Sequence, residues 1–158
     1  ENMIGEPGEG WPLAMTIVSH EREPAELGFA SRYMKAVREL EAIAGADPAA
    51  VTPAQGLDLA RAFVESEMLR VHTARRLSER IGGIHHGPEG SIDKLLMTWA
   101  EQSVGHAALS LGIGDAIAGA GAHEQLDFYL YSRAQSVMGG TSQIQKNIIA
   151  TRILGLPV

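Results

Sequence analysis

Residues 52–71 read TPAQGLDLARAFVESEMLRV, and this stretch sets the fold class. Thr52 offers a hydroxyl to the first N–H groups of a helix, Pro53 suits the first turn, and Gln55 can reach back to the cap, a reciprocal pattern that opens helices. Leu57, Ala60, Val64, Met68 and Val71 then recur at three, four and seven. That is one face of a 3.6-residue period, and the spacing predicts that this face is buried.

Upstream, Leu27, Ala30, Met34, Val37 and Ala44 repeat the same period, in a helix that should end between Gly45 and Pro48. Before them, Ser19-His20-Glu21-Arg22-Glu23-Pro24 sets two carboxylates and a guanidinium beside a proline that cannot donate to the His20 carbonyl. A bend or interruption is expected there. Such a bend can aim a side chain into a cleft, or it can carry only a solvated charge cluster, and the residues alone leave both open. The first eleven residues, ENMIGEPGEGW, are rich in Gly and Glu and read as an exposed, extended lead-in.

Downstream, Ile81 to Gly90 reads as a loop, and Ser91 as the cap of a third helix lined by Ile92, Leu95, Trp99, His106, Ile113 and Ile117. Gly119 to Ala122 should break that helix. Leu126, Tyr129, Leu130 and Ala134 resume helical spacing, and a last helix is expected from Thr141 to Leu154, stopped by Gly155 and Pro157. Alternating strand patterns are scarce and the connections short. The expectation is an all-α, up-and-down four-helix bundle, with residues 1–158 as a single domain. A bundle by itself implies no chemistry.

A net charge of -6 without a dense basic run argues against nucleic acid as a partner. No apolar stretch has the length of a membrane span, and no basic-then-apolar leader opens the chain. The absence of cysteine rules out disulfides and thiolate chemistry and fits a cytoplasmic location. No metal site is expected: His85-His86 are adjacent, and no further ligand is spaced to join them.

Ser91-Ile92-Asp93-Lys94 has the Ser-x-x-Lys spacing of serine acyl-enzymes, but the companion motifs are missing. The reading preferred here is a Ser91 N-cap, with Asp93 complementing the helix dipole. His106 reads as a hydrogen-bonded core histidine, and His72 as a residue on or near the solvated face. The end of the chain, Met138-Gly-Gly-Thr-Ser-Gln-Ile-Gln145, poses a sharper choice. Two glycines ahead of a helix N-terminus allow close approach by a phosphate-bearing cofactor, or they form a turn capped by Thr141 or Ser142 with nothing bound. Spacing alone favours the second.

GGTSQIQKNIIATRILGLP, the His20-Glu21-Arg22-Glu23 segment and the opening NMIGEPGEGW together resemble the C-terminal domain of acyl-CoA dehydrogenases, flavoproteins that desaturate acyl-CoA thioesters. The final block is similar to the family ending G-G-T-S-E-I-Q-R-N-I-I-A-E-R-x-L-G-L-P, departing at Gln143, Lys146 and Thr151. The resemblance implies a helical bundle that is one domain of a longer, FAD-dependent polypeptide, with an N-terminal helical domain and a middle β-domain elsewhere. It implies flavin contacts for Gly140, Thr141 and Gln143, with Ser142 weaker. Many members place a catalytic glutamate just before the Gly-Thr pair, where this chain has Gly139. Others carry it in an early helix within a Glu-Arg pair, which Glu21-Arg22 resembles. The resemblance therefore implies Glu21 as the base that removes the substrate α-proton, with Arg22 holding it and the Gly139 N–H polarising the thioester carbonyl. An acyl-CoA substrate, electron transfer to an electron-transfer flavoprotein, and a homo-oligomer or heteromer are implied as well. Two family features are missing: no Arg-x-x-Phe-Gly follows the first long helix, and LGIGDAIAGAGA matches the glycine-rich dinucleotide loop poorly. Alternatives are a partner subunit without its own complete site, and a purely structural helical module.

Overall fold

The computed structural model describes residues 3–84, 87–111 and 123–157, with side chains given at all of these except 18–27 and 123–125. Among the described residues five α-helices carry the fold: α1 (Gly10–Ala46), α2 (Pro53–Ile81), α3 (Gly90–Ser110), α4 (His123–Ala134) and α5 (Ser142–Ile148), with a short 3-10 turn at Pro48–Ala50 and a π-helical turn at Ile149–Ile153 continuing α5. No strand occurs among the described residues, as expected of an all-α bundle.

Local signals set several boundaries. Thr52 accepts from the Gln55 N–H, while the Gln55 side chain accepts from the Thr52 N–H at 2.8 Å, so the capping box is complete. The exposed lead-in gives way to helix at Gly10, with the Glu6 N–H donating to the Glu9 carboxylate at 3.0 Å. The interruption expected at Pro24 does not occur: α1 runs unbroken through it to Ala46. α3 closes at Ser110, short of the expected break at Gly119, and Ile113 and Ile117 lie outside the described residues.

The pairing of α2 with α3 runs antiparallel. Gln55 donates to the Ser110 carbonyl, Glu65 accepts from Ser103, and His72 and Arg76 meet Asp93, so partners climb one helix as they descend the other. α4 returns along α3 in the same sense, with Gln102 against Ser132 and Lys94 against Gln135. Gly105 makes this second contact close, because a Cβ there would meet Ser132 Oγ and Tyr129 Cα at 3.4 Å. The core joins Ala30, Tyr33, Val37 and Leu40 of α1 to Ala62 and Leu69 of α2 and to Leu96, Ala100, Val104 and Ala107 of α3. Alanines at the α3 contacts keep the helix axes near one another.

One expectation fails in an informative way. The α2 stripe of Leu57, Ala60, Val64, Met68 and Val71 faces outward; Leu57 is 70% exposed and Val71 56%. The buried face is Ala62, Ser66, Leu69, Thr73 and Arg76. Ala62 follows Leu57 by five residues, about 140° around a helix. Periodicity identified the helix but not the side that α1 and α3 cover.

Candidate functional site

The site forms where α4 ends and α5 begins. Gly139 and Gly140 adopt φ of +64° and +103°, left-handed values that a side chain would strain. This reverses the chain so that Thr141 caps α5: its Oγ1 accepts from the Ile144 N–H at 3.3 Å and its carbonyl from the Gln145 N–H at 2.9 Å. The Ser142 N–H donates to the Ser136 carbonyl at 3.1 Å, closing the turn from behind.

Gln145, which sequence reasoning passed over, is the staple of this turn. It is fully buried, and its Nε2 donates to the carbonyls of Gly139 and Gly140 at 3.2 and 3.3 Å. Its Oε1 is buried without a hydrogen-bond partner. The available signal was spacing, since Gln145 lies four residues after Thr141 and so above it on the same face. Gln143, in contrast, is exposed.

Beneath the turn lies a buried polar stripe on α3. Lys94, Thr98 and Glu101 recur at four and three, and all are buried. The Lys94 Nζ donates to the Gln135 carbonyl and, at 3.1 Å, to Thr98 Oγ1. One turn further on, the Glu101 carboxylate accepts from Tyr33 Oη at 2.6 Å. Loss of water around Glu101 pushes its carboxyl above the usual range, against the opposing pull of Tyr33, Arg32 and Lys94. Burial likewise raises the Tyr33 phenol, and the neighbouring Glu101 adds to it.

Several expected residues stand elsewhere. Glu21 and Arg22 lie within α1, and their side chains are outside those described. His85-His86 are also outside the described residues. Ser91 is not a cap: α3 opens at Gly90 after Glu89, and Ser91 Oγ is buried without a partner. It sits inside the first turn because the 87–90 turn already begins the helix, with the Ser91 N–H donating to the Pro88 carbonyl at 3.0 Å. His72 is not on the solvated face; packed between α2 and α3, it meets Asp93 Oδ1 at 2.5 Å, and Arg76 holds the other carboxylate oxygen at 3.0 Å. His106 is not a core residue: its side chain is 60% exposed, 3.6 Å from Asp58. Among the described residues no group of three His, Asp or Glu suits a metal, and no helix is long and apolar enough to cross a membrane.

The turn's chemistry therefore consists of a left-handed glycine pair, a threonine hydroxyl with a proton to donate, and an exposed amide. Such a set fits the carbonyl and phosphate oxygens of a flavin nucleotide. Comparison with known proteins gives the class to which the chain belongs. Residues 8–154 match the family described as acyl-CoA dehydrogenase, C-terminal domain. The chain belongs to the acyl-CoA dehydrogenase family. It is 29% identical over 157 residues to acyl-CoA dehydrogenase IpdE1 of Mycolicibacterium smegmatis, covering 98% of this chain and 39% of that protein. Against acyl-CoA dehydrogenase IpdE1 of Mycobacterium tuberculosis the identity is also 29%, covering 98% of this chain and 40% of the relative. Acyl-CoA dehydrogenase FadE34 of Mycobacterium tuberculosis is 27% identical over 162 residues, covering 99% of this chain and 21% of that protein. The chain thus spans about two-fifths of the length of the first two relatives.

Proposed function

We propose that these residues form the C-terminal domain of a longer, FAD-dependent acyl-CoA dehydrogenase that introduces an α,β double bond into an acyl-CoA thioester. The observation that carries this reading is the Gly139-Gly140-Thr141 turn, held open in left-handed conformation and stapled by Gln145 in a chain of this family. Gly140, Thr141 and Gln143 hold the cofactor, through close backbone approach, a hydroxyl proton and a side-chain amide. Bound FAD supplies the two-electron acceptor for the hydrogen leaving the β-carbon.

Glu21 accepts the α-proton on its carboxylate, Arg22 fixes the orientation of that carboxylate, and the Gly139 N–H polarises the thioester oxygen so that the α-carbon becomes acidic. Bound substrate excludes water from Glu21 and raises its basicity. The reducing equivalents pass to an electron-transfer flavoprotein. The outward apolar face of α2, with Leu57, Val64, Met68 and Val71, supports an oligomeric protein in which this face is covered. A cytoplasmic location goes with this reading.

A second reading is favoured by one residue. Gly139 stands where many members carry the catalytic glutamate, so the chain also suits a partner subunit whose heteromer completes the site. One experiment separates the two: the visible flavin spectrum of the intact polypeptide, before and after anaerobic addition of a panel of acyl-CoA esters. Bleaching of the flavin, retained colour without bleaching in Glu21→Gln, and one flavin per chain are expected. A colourless polypeptide in the presence of FAD overturns the self-contained enzyme, and a Glu21→Gln variant that bleaches at the wild-type rate overturns the assignment of the base.

A further inference from the structure

We propose that Lys94 is a positioning residue for the cofactor turn: its buried ammonium fixes the end of α4, and so the path of residues 135–140 into Gly139 and Gly140. The inference rests on the reading of that turn as the flavin contact.

Lys94 is only 8% exposed, and a buried ammonium persists only where its donors are satisfied. Its Nζ meets the Gln135 carbonyl, the Gln135 Oε1 at 3.5 Å and Thr98 Oγ1 at 3.1 Å. Gln135 is the first residue after α4, where unsatisfied carbonyls collect partial negative charge, so a cation is placed where a helix end favours one. Its neighbour on the stripe acts on the same residue. Thr98 donates to the Lys94 carbonyl at 2.8 Å and lies 3.3 Å from the Gln135 carbonyl. One face of α3 thus grips one residue of the chain from both its main chain and its side chain.

The grip reaches the glycines directly. Lys94 Cε lies 3.7 Å from the point a Cβ on Gly139 would occupy, so the lysine stem forms the floor under the turn. Gln145 holds Gly139 and Gly140 from the other side. The Ser-x-x-Lys spacing therefore has no acyl-transfer role. Ser91 is buried in the first turn of α3, and Lys94 spends its donors on α3 and the end of α4.

The test is FAD titration of the intact apo-polypeptide, read beside its unfolding midpoint. Lys94→Met keeps the stem and removes the charge, and the loss of one charge-assisted hydrogen bond predicts roughly tenfold weaker flavin binding. Lys94→Arg restores a cation and is expected to recover most of that affinity. Leu69→Ala, in the α2–α3 seam, is the control: it lowers the midpoint and leaves flavin affinity unchanged. Wild-type affinity in Lys94→Met overturns the proposal, as does a loss in Leu69→Ala that tracks its midpoint equally. Should Lys94→Met fail to fold, Thr98→Val decides through hydrogen exchange. Faster exchange confined to 136–141 supports the clamp, and unchanged protection there overturns it. A wild-type polypeptide that binds no FAD overturns the flavin reading instead, and the exchange experiment still judges the clamp.

Discussion

The inner face of α3 and the outer face of α2 invert the usual relation between hydropathy and burial. α3 buries Ser91, Asp93, Lys94, Thr98 and Glu101, while α2 leaves Leu57, Val64, Met68 and Val71 exposed. The two faces differ in what they do. Of the α3 groups, Asp93, Lys94 and Glu101 meet specific partners from three other helices or turns, so polarity there fixes geometry. The α2 face has the composition of a core without the cover of one, as expected of a surface that meets more protein.

The sharpest way to break this contrast is Asp93→Ala. Its carboxylate neutralises Arg76, whose side chain is 5% exposed, and removing one member of a buried pair costs about 3–5 kcal/mol. Urea unfolding of the chain should show that loss, and a loss under about 1 kcal/mol would mean that the pair is not a fixed part of the seam. Next comes a matched pair on α2. Leu69→Ala opens a cavity in the core at a cost of about 2–5 kcal/mol, whereas Leu57→Ala on the outer face should change the same chain by no more than about 0.5 kcal/mol. Equal losses would show that the outer face is already covered.

The smallest effect sharpens the account of α3. Because burial raises the Glu101 carboxyl, the folded state holds that proton to higher pH than the unfolded state does. Its contribution is therefore complete below the ordinary glutamate value of 4.5 and declines as pH rises from there through the raised folded value. Glu101→Gln should flatten this part of the stability profile, and an unchanged slope in urea midpoints across that range would contradict the assigned direction.

What was legible in the sequence was local. The Thr52–Gln55 box closes within four residues, Ala30, Met34 and Val37 are buried as their spacing requires, and Thr141 caps the last helix behind two glycines. What was not legible depended on partners far along the chain. Leu57 and Leu69 stand about 120° apart around one helix, and only the approach of α1 and α3 decides which face is covered. Gln145 and Lys94 look like ordinary solvated helix residues until the carbonyls of 135, 139 and 140 are brought to them. The family resemblance supplied Glu21 where physical reading of the charge cluster stopped, and the unbroken course of α1 shows that Pro24 does not interrupt the helix carrying it.

Asp93 serves two residues of α2 that stand one turn apart, His72 and Arg76. A slip of α3 along α2 by one turn, about 5.4 Å, would carry the carboxylate past at least one of them and strand a buried guanidinium. Apolar contacts such as Leu69 against alanines tolerate sliding far better than a carboxylate held between two fixed donors does. Asp93 is therefore a key that indexes α3 against α2, and the axial placement of what is mounted on α3, from Lys94 to the glycine turn, depends on that side chain together with the Gln55–Ser110 and Glu65–Ser103 contacts.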